Sequence, residues 1–287
     1  MSTHDKLFPA FDALKVIAAF GIVWFHTPHA IGREIGYAGL LIFLLISFIV
    51  LSIKSPSYSY LQYLRQRGKR LLIPWIVWNI FYGLLTLRLS HSSIGVPSLS
   101  GILTGTAIHL WYLPFAFLAS YLVFIFLTLT RASSPWVLII VSGMVTVLWL
   151  ISYPMFDMSL TGNPWRQWSY GFASIPLGIA LGQALKLPQA QCRWVMLAIL
   201  AMMLAICVYL IQMDKFGTAV SYMTGTALII TALLIPMPSY RWVTQLSALT
   251  FGIYLLHPFI FMICYKLFGS DVSTGLLMAG RFFGALL

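Results

Sequence analysis

Asp12, Lys15 and His26 are the groups in the first apolar run of this chain that could do chemistry. Lys15 follows Asp12 by three residues, the spacing at which helix side chains pair. His26 follows Lys15 by eleven residues, which on an α-helix is about three turns with roughly 20° left over and a rise of about 16 Å. The three side chains therefore share one helix face, with the cation toward one end and the imidazole toward the other. Ionisable groups in a hydrocarbon-facing helix are costly and normally face an internal cavity or pathway. A neutral imidazole there could take a proton from a hydroxyl as a general base. Taken alone, His26 also reads as an interfacial histidine at a helix end, before Thr27, Pro28 and His29. Lys15 is either a lysine snorkelling to the interface or a cation that receives part of an anionic substrate.

Four further clusters carry polar groups. The stretch Tyr63-Leu64-Arg65-Gln66-Arg67-Gly68-Lys69-Arg70 is strongly basic. It suits a topogenic, lipid-binding patch and a docking site for the phosphates of a nucleotide-like donor equally well. Ser47 places a hydroxyl inside the second apolar run, where such a group commonly bonds its own helix backbone. His109-Leu110-Trp111-Tyr112-Leu113-Pro114 opens a later run, and an aromatic belt accounts for Trp111 and Tyr112. Tyr254-Leu255-Leu256-His257-Pro258 sets a histidine one residue before a proline. A proline there frees a backbone carbonyl, which points to a cavity wall.

The elements that must position these groups are membrane helices. The chain has 287 residues, of which 60% are hydrophobic and 8% charged, against about a quarter charged in soluble domains. The expected fold is an all-α, polytopic membrane helix bundle forming one transmembrane domain over 1–287, with no separate soluble domain. About ten spans are predicted, near 10–28, 37–53, 71–88, 108–130, 135–153, 169–186, 194–212, 218–236, 248–267 and 274–287, with a basic loop at 54–70. The last would rise only about 21 Å against a hydrocarbon core of about 30 Å, so it is expected to be short or cut before its natural end. The first span reads as a retained signal anchor, since no small-residue cleavage site follows it.

With the N-terminus in the cytoplasm, ten Lys and Arg fall in inside segments and five in outside ones, which predicts both termini inside. The net charge of +11 is then a matter of topology and anionic lipid rather than nucleic acid. Cys192, Cys207 and Cys264 are scattered and form no CxxC, and no HExxH is present, so no metal site is expected. There is no Walker A loop and no GxSxG. Intramembrane carboxylate pairs, which a proton-coupled carrier usually needs, are also missing from the sequence. For the acceptor side of any reaction, the loop from Tyr153 to Trp168 is a candidate, and an ordinary interfacial loop explains it as well.

In their order and spacing these motifs resemble the acyltransferase 3 family of membrane-bound O-acyltransferases. The resemblance rests on Asp12-x-x-Lys15 with His26, on Phe43-x-x-x-Ser47, and on Arg67-x-x-Arg70-x-x-x-Pro74. It continues through His109-Leu110-Trp111-Tyr112-Leu113 to Tyr254-Leu255-Leu256-His257-Pro258, and so covers 11–258. Two positions depart from the family pattern: Lys15 stands where an arginine is usual, and Phe48 where a glycine commonly follows the serine. The resemblance implies a bacterial inner-membrane enzyme with a cytoplasmic N-terminus. Such an enzyme moves an acyl group, usually acetyl, from cytoplasmic acyl-CoA to a sugar hydroxyl of a surface polysaccharide or its lipid-linked precursor. Acetyl-CoA would be a substrate, with no permanently bound cofactor.

On this reading His26, Lys15 and Asp12 carry catalysis. Arg65, Arg67, Arg70 and Ser47 hold the donor. His109, Trp111, Tyr112, Tyr254 and His257 line the cavity on the acceptor side. Two other readings use the same polar face: a flippase or transporter of a lipid-linked glycan, and a non-catalytic subunit of an envelope-synthesis complex.

Overall fold

Within a bilayer core every backbone amide must be satisfied internally, and runs this apolar and this long can do so only as helices or as a closed barrel. Val and Ile are interleaved with Leu, Ala, Phe and Met in these runs without the strict alternation of barrel strands. Helices result. In the computed structural model residues 3–27, 30–54, 59–90, 98–155 and 162–268 are described, and among them there is no strand.

The helices are α1 (Thr3–His26), the short α2 (Arg33–Gly36), α3 (Ala38–Ile53), α4 (Tyr60–Ser90) and α5 (Leu99–Thr104). A 3-10 turn, Ile108–Trp111, leads into α6 (Tyr112–Leu129), which is followed by α7 (Pro135–Ser152). Then come α8 (Trp165–Phe172), α9 (Ser174–Ala184), α10 (Gln189–Gln212), α11 (Phe216–Leu234) and α12 (Arg241–Phe268). Eight of the described helices are long and apolar enough to cross a membrane.

These helices form two compact units. The first comprises 1–46 and 193–287, and the second 47–192. In the first, α1 packs most extensively on α12 and also meets α2 and α11. Leu14, Val23, Leu41, Leu44, Tyr222 and Ile229 are buried in its core. In the second unit the main pairs are α7 with α9 and α4 with α6. Phe48, Leu110, Leu113, Phe124, Leu150 and Leu177 fill its interior.

The structure alters two sequence expectations. The basic segment 54–70 is not a loop throughout: from Tyr60 onward it is the first part of α4, which runs 31 residues, about 46 Å. That length exceeds a hydrocarbon core of about 30 Å, so a turn or more carries the basic side chains out beyond it. Secondly, the span expected at 169–186 is divided at Ala173 into α8 and α9, neither long enough alone. Among the described residues eight helices are long enough to cross a membrane, so the count of ten is not confirmed. The span expected at 274–287 lies outside the described residues.

The direction of α12 bears on that division. Asp12 and Lys15 meet Ser247, and His26 meets His257, so α1 and α12 run in the same sense. Six long helices lie between them: α3, α4, α6, α7, α10 and α11. Six crossings would bring α12 back antiparallel to α1. A seventh is required, and α8 with α9 is the segment that can supply it. Trp165–Ala184 would rise about 30 Å as one rod, the thickness of the core. Ala173 keeps helical dihedrals (φ −62°, ψ −21°), so the two pieces continue one another.

In the second unit the approach to α6 is set by one glycine. Gly105 has φ 82° and ψ 175°, a region that is essentially glycine-only. A Cβ there would lie 2.8 Å from Asn79 Oδ1 and 2.9 Å from Leu110 Cβ. The next residue is tied down: Thr106 N–H donates to Asn79 Oδ1 at 2.7 Å and its hydroxyl donates to the Asn79 carbonyl at 2.9 Å. Gly105→Ala is expected to destabilise the protein by about 1–3 kcal/mol. Asn79→Ala should cost about 1 kcal/mol. Thermal unfolding of the detergent-solubilised variants measures both.

Candidate functional site

The site begins with a proline. Pro258 lies inside α12 and has no N–H, so the carbonyl four residues back, that of Tyr254, has no amide donor from position 258. His257 supplies one instead: its Nδ1 lies 2.8 Å from the Tyr254 carbonyl oxygen. A carbonyl only accepts, so Nδ1 donates. In the neutral ring Nε2 then carries the lone pair. The arrangement fixes both the orientation and the tautomer of a histidine that is 1% exposed.

The partner ring is His26, at the end of α1. The two imidazole centroids are 5.0 Å apart, tilted by 38°. Aromatic rings enclose the pair. Phe25 meets His26 edge-on at 5.0 Å, and Phe261 meets His257 edge-on at 5.7 Å. Arg33 lies over the far side of this cluster, its guanidinium 5.1 Å from the Phe25 centroid. Thr27, which follows α1, bonds back to that helix at the Val23 carbonyl at 2.9 Å.

The other end of the α1–α12 contact is an ionic cluster. Lys15 Nζ lies 3.0 Å from Asp12 Oδ1, the i,i+3 pair anticipated from spacing. Ser247 of α12 donates to the same oxygen at 2.7 Å and lies 3.5 Å from Lys15 Nζ. Lys15 is thus half of an ion pair that also holds α12. The expectation that Lys15 and His26 share one face is met in this sense: both face α12.

Ser247 was not among the residues picked out from sequence. The signal was there as a stripe. Ser247, Thr250, Tyr254 and His257 recur at three- and four-residue intervals and fall within about 80° on a helix. All four are buried. Arg33 had no comparable signal, because its contact with Phe25 depends on the turn between α1 and α2.

The remaining predicted residues lie in the second unit. His109 is buried in the 3-10 turn and meets Tyr82 of α4 edge-on at 5.1 Å. Trp111 and Tyr112 are buried as well, so they are core aromatics rather than an exposed belt. Trp111 packs on Phe115 at 5.8 Å, Phe115 on Trp168 at 5.7 Å, and Trp168 on Trp165 at 5.5 Å. This file of rings reaches α8, in the segment considered for an acceptor. Arg67 is half-buried on α4 and donates from Nε to the Tyr63 hydroxyl at 3.2 Å, while Tyr63 stacks on Phe124 at 4.1 Å. Arg65 and Arg70 are exposed on the same helix. Ser47 is half-buried, and the neighbouring Phe48 fills the interior where the family pattern has glycine.

A histidine pair, His257 buried and His26 half-buried, and a basic helix in a second unit are joined along the sequence by a single family model. The acyltransferase 3 model, described as an acyltransferase domain, matches residues 8–287. The chain belongs to the acyltransferase 3 family. Membership makes it an acyltransferase of the membrane-bound kind, and the matched region holds every motif discussed above. No curated protein and no solved structure matches the chain.

Two outcomes test this geometry. Replacing Pro258 with alanine returns an N–H to α12 that competes with His257 for the Tyr254 carbonyl. The ¹⁵N spectrum of the labelled imidazole should then show a mixture of tautomers, with no loss of thermal stability, instead of the single Nδ1–H form. The double variant Asp12→Ala/Lys15→Ala should lose less stability than the sum of the two single losses. The coupling energy from the cycle should be about 0.5–3 kcal/mol.

Proposed function

We propose that this acyltransferase moves an acyl group, acetyl in the simplest case, from acyl-CoA to a hydroxyl of a saccharide. The acceptor is a surface polysaccharide or its lipid-linked precursor. The observation that carries the reading is the His26–His257 contact, with the second ring locked by the carbonyl that Pro258 leaves without its helical donor. Enzymes that activate a hydroxyl need a neutral imidazole held in one orientation. A flippase needs a polar path but no such fixed tautomer, and membership of an acyltransferase family favours chemistry over carriage.

His26 acts as the general base and His257 as its positioning residue. The imidazole of His26 takes the proton of the acceptor hydroxyl as its oxygen attacks the thioester carbonyl carbon. The carbon–sulfur bond breaks, and the imidazolium returns the proton to the departing thiolate. An ester and free coenzyme A result. Lys15, paired with Asp12, serves to hold α1 in register on α12, so its contribution to catalysis is through geometry.

The donor's phosphates call for cations, and the family's arginines stand at Arg67 and Arg70, with Arg65 a turn away. The acceptor sugar calls for ring faces, which the file from Trp111 to Trp165 offers. The Lys/Arg count supports a cytoplasmic N-terminus, and the family resemblance supports a bacterial inner membrane as the location.

Transfer from labelled acetyl-CoA by purified protein should fall by about 10²–10⁴-fold in His26→Ala, with the thermal midpoint unchanged. Full transfer by a folded His26→Ala protein would remove His26 from the reaction.

A further inference from the structure

The second unit contains a basic pocket that the acyl-transfer reading does not use. It is a cavity of about 230 Å³ where α3, α6, α7 and α9 end or begin. Three cations stand at it, each from a different connection: Lys54 after α3, Arg131 between α6 and α7, and Lys186 after α9. All three are exposed at the mouth. The floor is polar and buried. Gln183 Nε2 donates to the Ser52 hydroxyl at 3.0 Å, and that hydroxyl donates to the Ile179 carbonyl at 3.3 Å. Gly182 allows this floor to close, since a Cβ there would lie 2.6 Å from Ser52 Cβ. The positive end of α7 opens beside the pocket, with Ser134 as its N-cap.

Charge bookkeeping in this unit is one-sided. Residues 47–192 carry nine Lys and Arg and a single carboxylate, Asp157. In sequence, then, cations outnumber carboxylates in this unit by nine to one. Arg131 brings the planar fork that matches phosphate oxygens, and Lys54 and Lys186 add point charges.

Size decides among phosphate-bearing ligands. Pockets for drug-sized molecules run about 300–1,000 Å³. This one falls below that range, so it takes a phosphate group with little attached and not a coenzyme A nucleotide. Leu127 and Leu138 supply an apolar wall beside the charges, which suits a headgroup continuing into hydrocarbon. Basic pockets among transmembrane helices are known seats for anionic headgroups. On the orientation predicted by the Lys/Arg count, all three cations face the cytoplasmic leaflet.

We infer that the Lys54–Arg131–Lys186 pocket is a phosphate site occupied by the headgroup of an anionic phospholipid. The site stands independently of the acyl-transfer reading, because its ligand is neither donor nor acceptor.

The test uses the full chain in neutral detergent, titrated with phosphatidylglycerol, phosphatidylcholine, inorganic phosphate or acetyl-CoA, with the thermal midpoint as readout. Phosphatidylglycerol should raise the midpoint and phosphatidylcholine should not. Each cation removed (Lys54→Gln, Arg131→Gln, Lys186→Gln) should weaken the lipid response about fivefold, and the triple variant about a hundredfold. Without lipid the variants should melt as the parent does, and Arg131→Lys should retain part of the response. If inorganic phosphate at the same concentration matches the lipid, the site takes a free anion and the lipid assignment is wrong. An equal lipid response in the triple variant would dismiss the pocket altogether. Loss of acetyl-CoA protection in the triple variant would assign these cations to the donor and overturn the inference.

Discussion

A proline inside a membrane helix leaves a carbonyl with no amide to bond, and in hydrocarbon that deficit must be met locally. At Pro258 it is met by the side chain one residue earlier. His257 donates to the Tyr254 carbonyl, and this single bond has three consequences. It satisfies the backbone of α12, it stops the imidazole from rotating, and it assigns the ring proton to Nδ1. The position of His26 matters because a ring with a defined lone pair lies 5.0 Å away. Without Pro258 the histidine pair would still be close, but nothing would fix which nitrogen of His257 holds the proton.

Three turns away the same two helices are joined by charge. Asp12 Oδ1 accepts from both Lys15 and Ser247. This bears on the residue where the chain departs from its family. An arginine brings two parallel donors to a carboxylate in one rigid fork, whereas a lysine brings a compact ammonium. Here the second donor comes from Ser247 on the opposite helix. Asp12 thus joins α1 to α12 through one oxygen that accepts both from its own helix and from the opposite one. Interactions of this kind between membrane helices are each modest, about 0.6 kcal/mol on average. Two of them at separate levels hold register better than one, because a sliding helix must break both.

What could be read from the sequence divides along physical lines. The helical membrane fold was legible because hydropathy and length leave few alternatives. The shared face of Asp12, Lys15 and His26 was legible because helix periodicity is local. The carbonyl freed near His257 was legible because proline chemistry is local too. The pairing of α1 with α12 was not, since it joins positions more than 230 residues apart and no single-chain periodicity reports such a contact. The division of the expected 169–186 span was also hidden, as Ala173 is a good helix former and keeps helical dihedrals (φ −62°, ψ −21°). Ser247 could have been found from its polar stripe. Trp111 and Tyr112 misled in the opposite direction: amphipathic aromatics near a helix start read as a belt, yet both are core residues.

The two units also differ in how their charges are met, and the difference follows from composition. The first contains acids to pair with, and its ion pair at Asp12 and Lys15 is internal. Its catalytic candidates are two imidazoles set among aromatic rings. The second has nine cations and one carboxylate in its sequence, a composition suited to lipid, water or an anionic substrate as counter-charge. Arg67 meets a tyrosine hydroxyl, not an acid. A unit built in this way is suited to binding anions and poorly suited to holding a proton on a carboxylate. On the proposed reading, proton handling falls to the first unit and anion binding to the second, a division that matches their charge compositions.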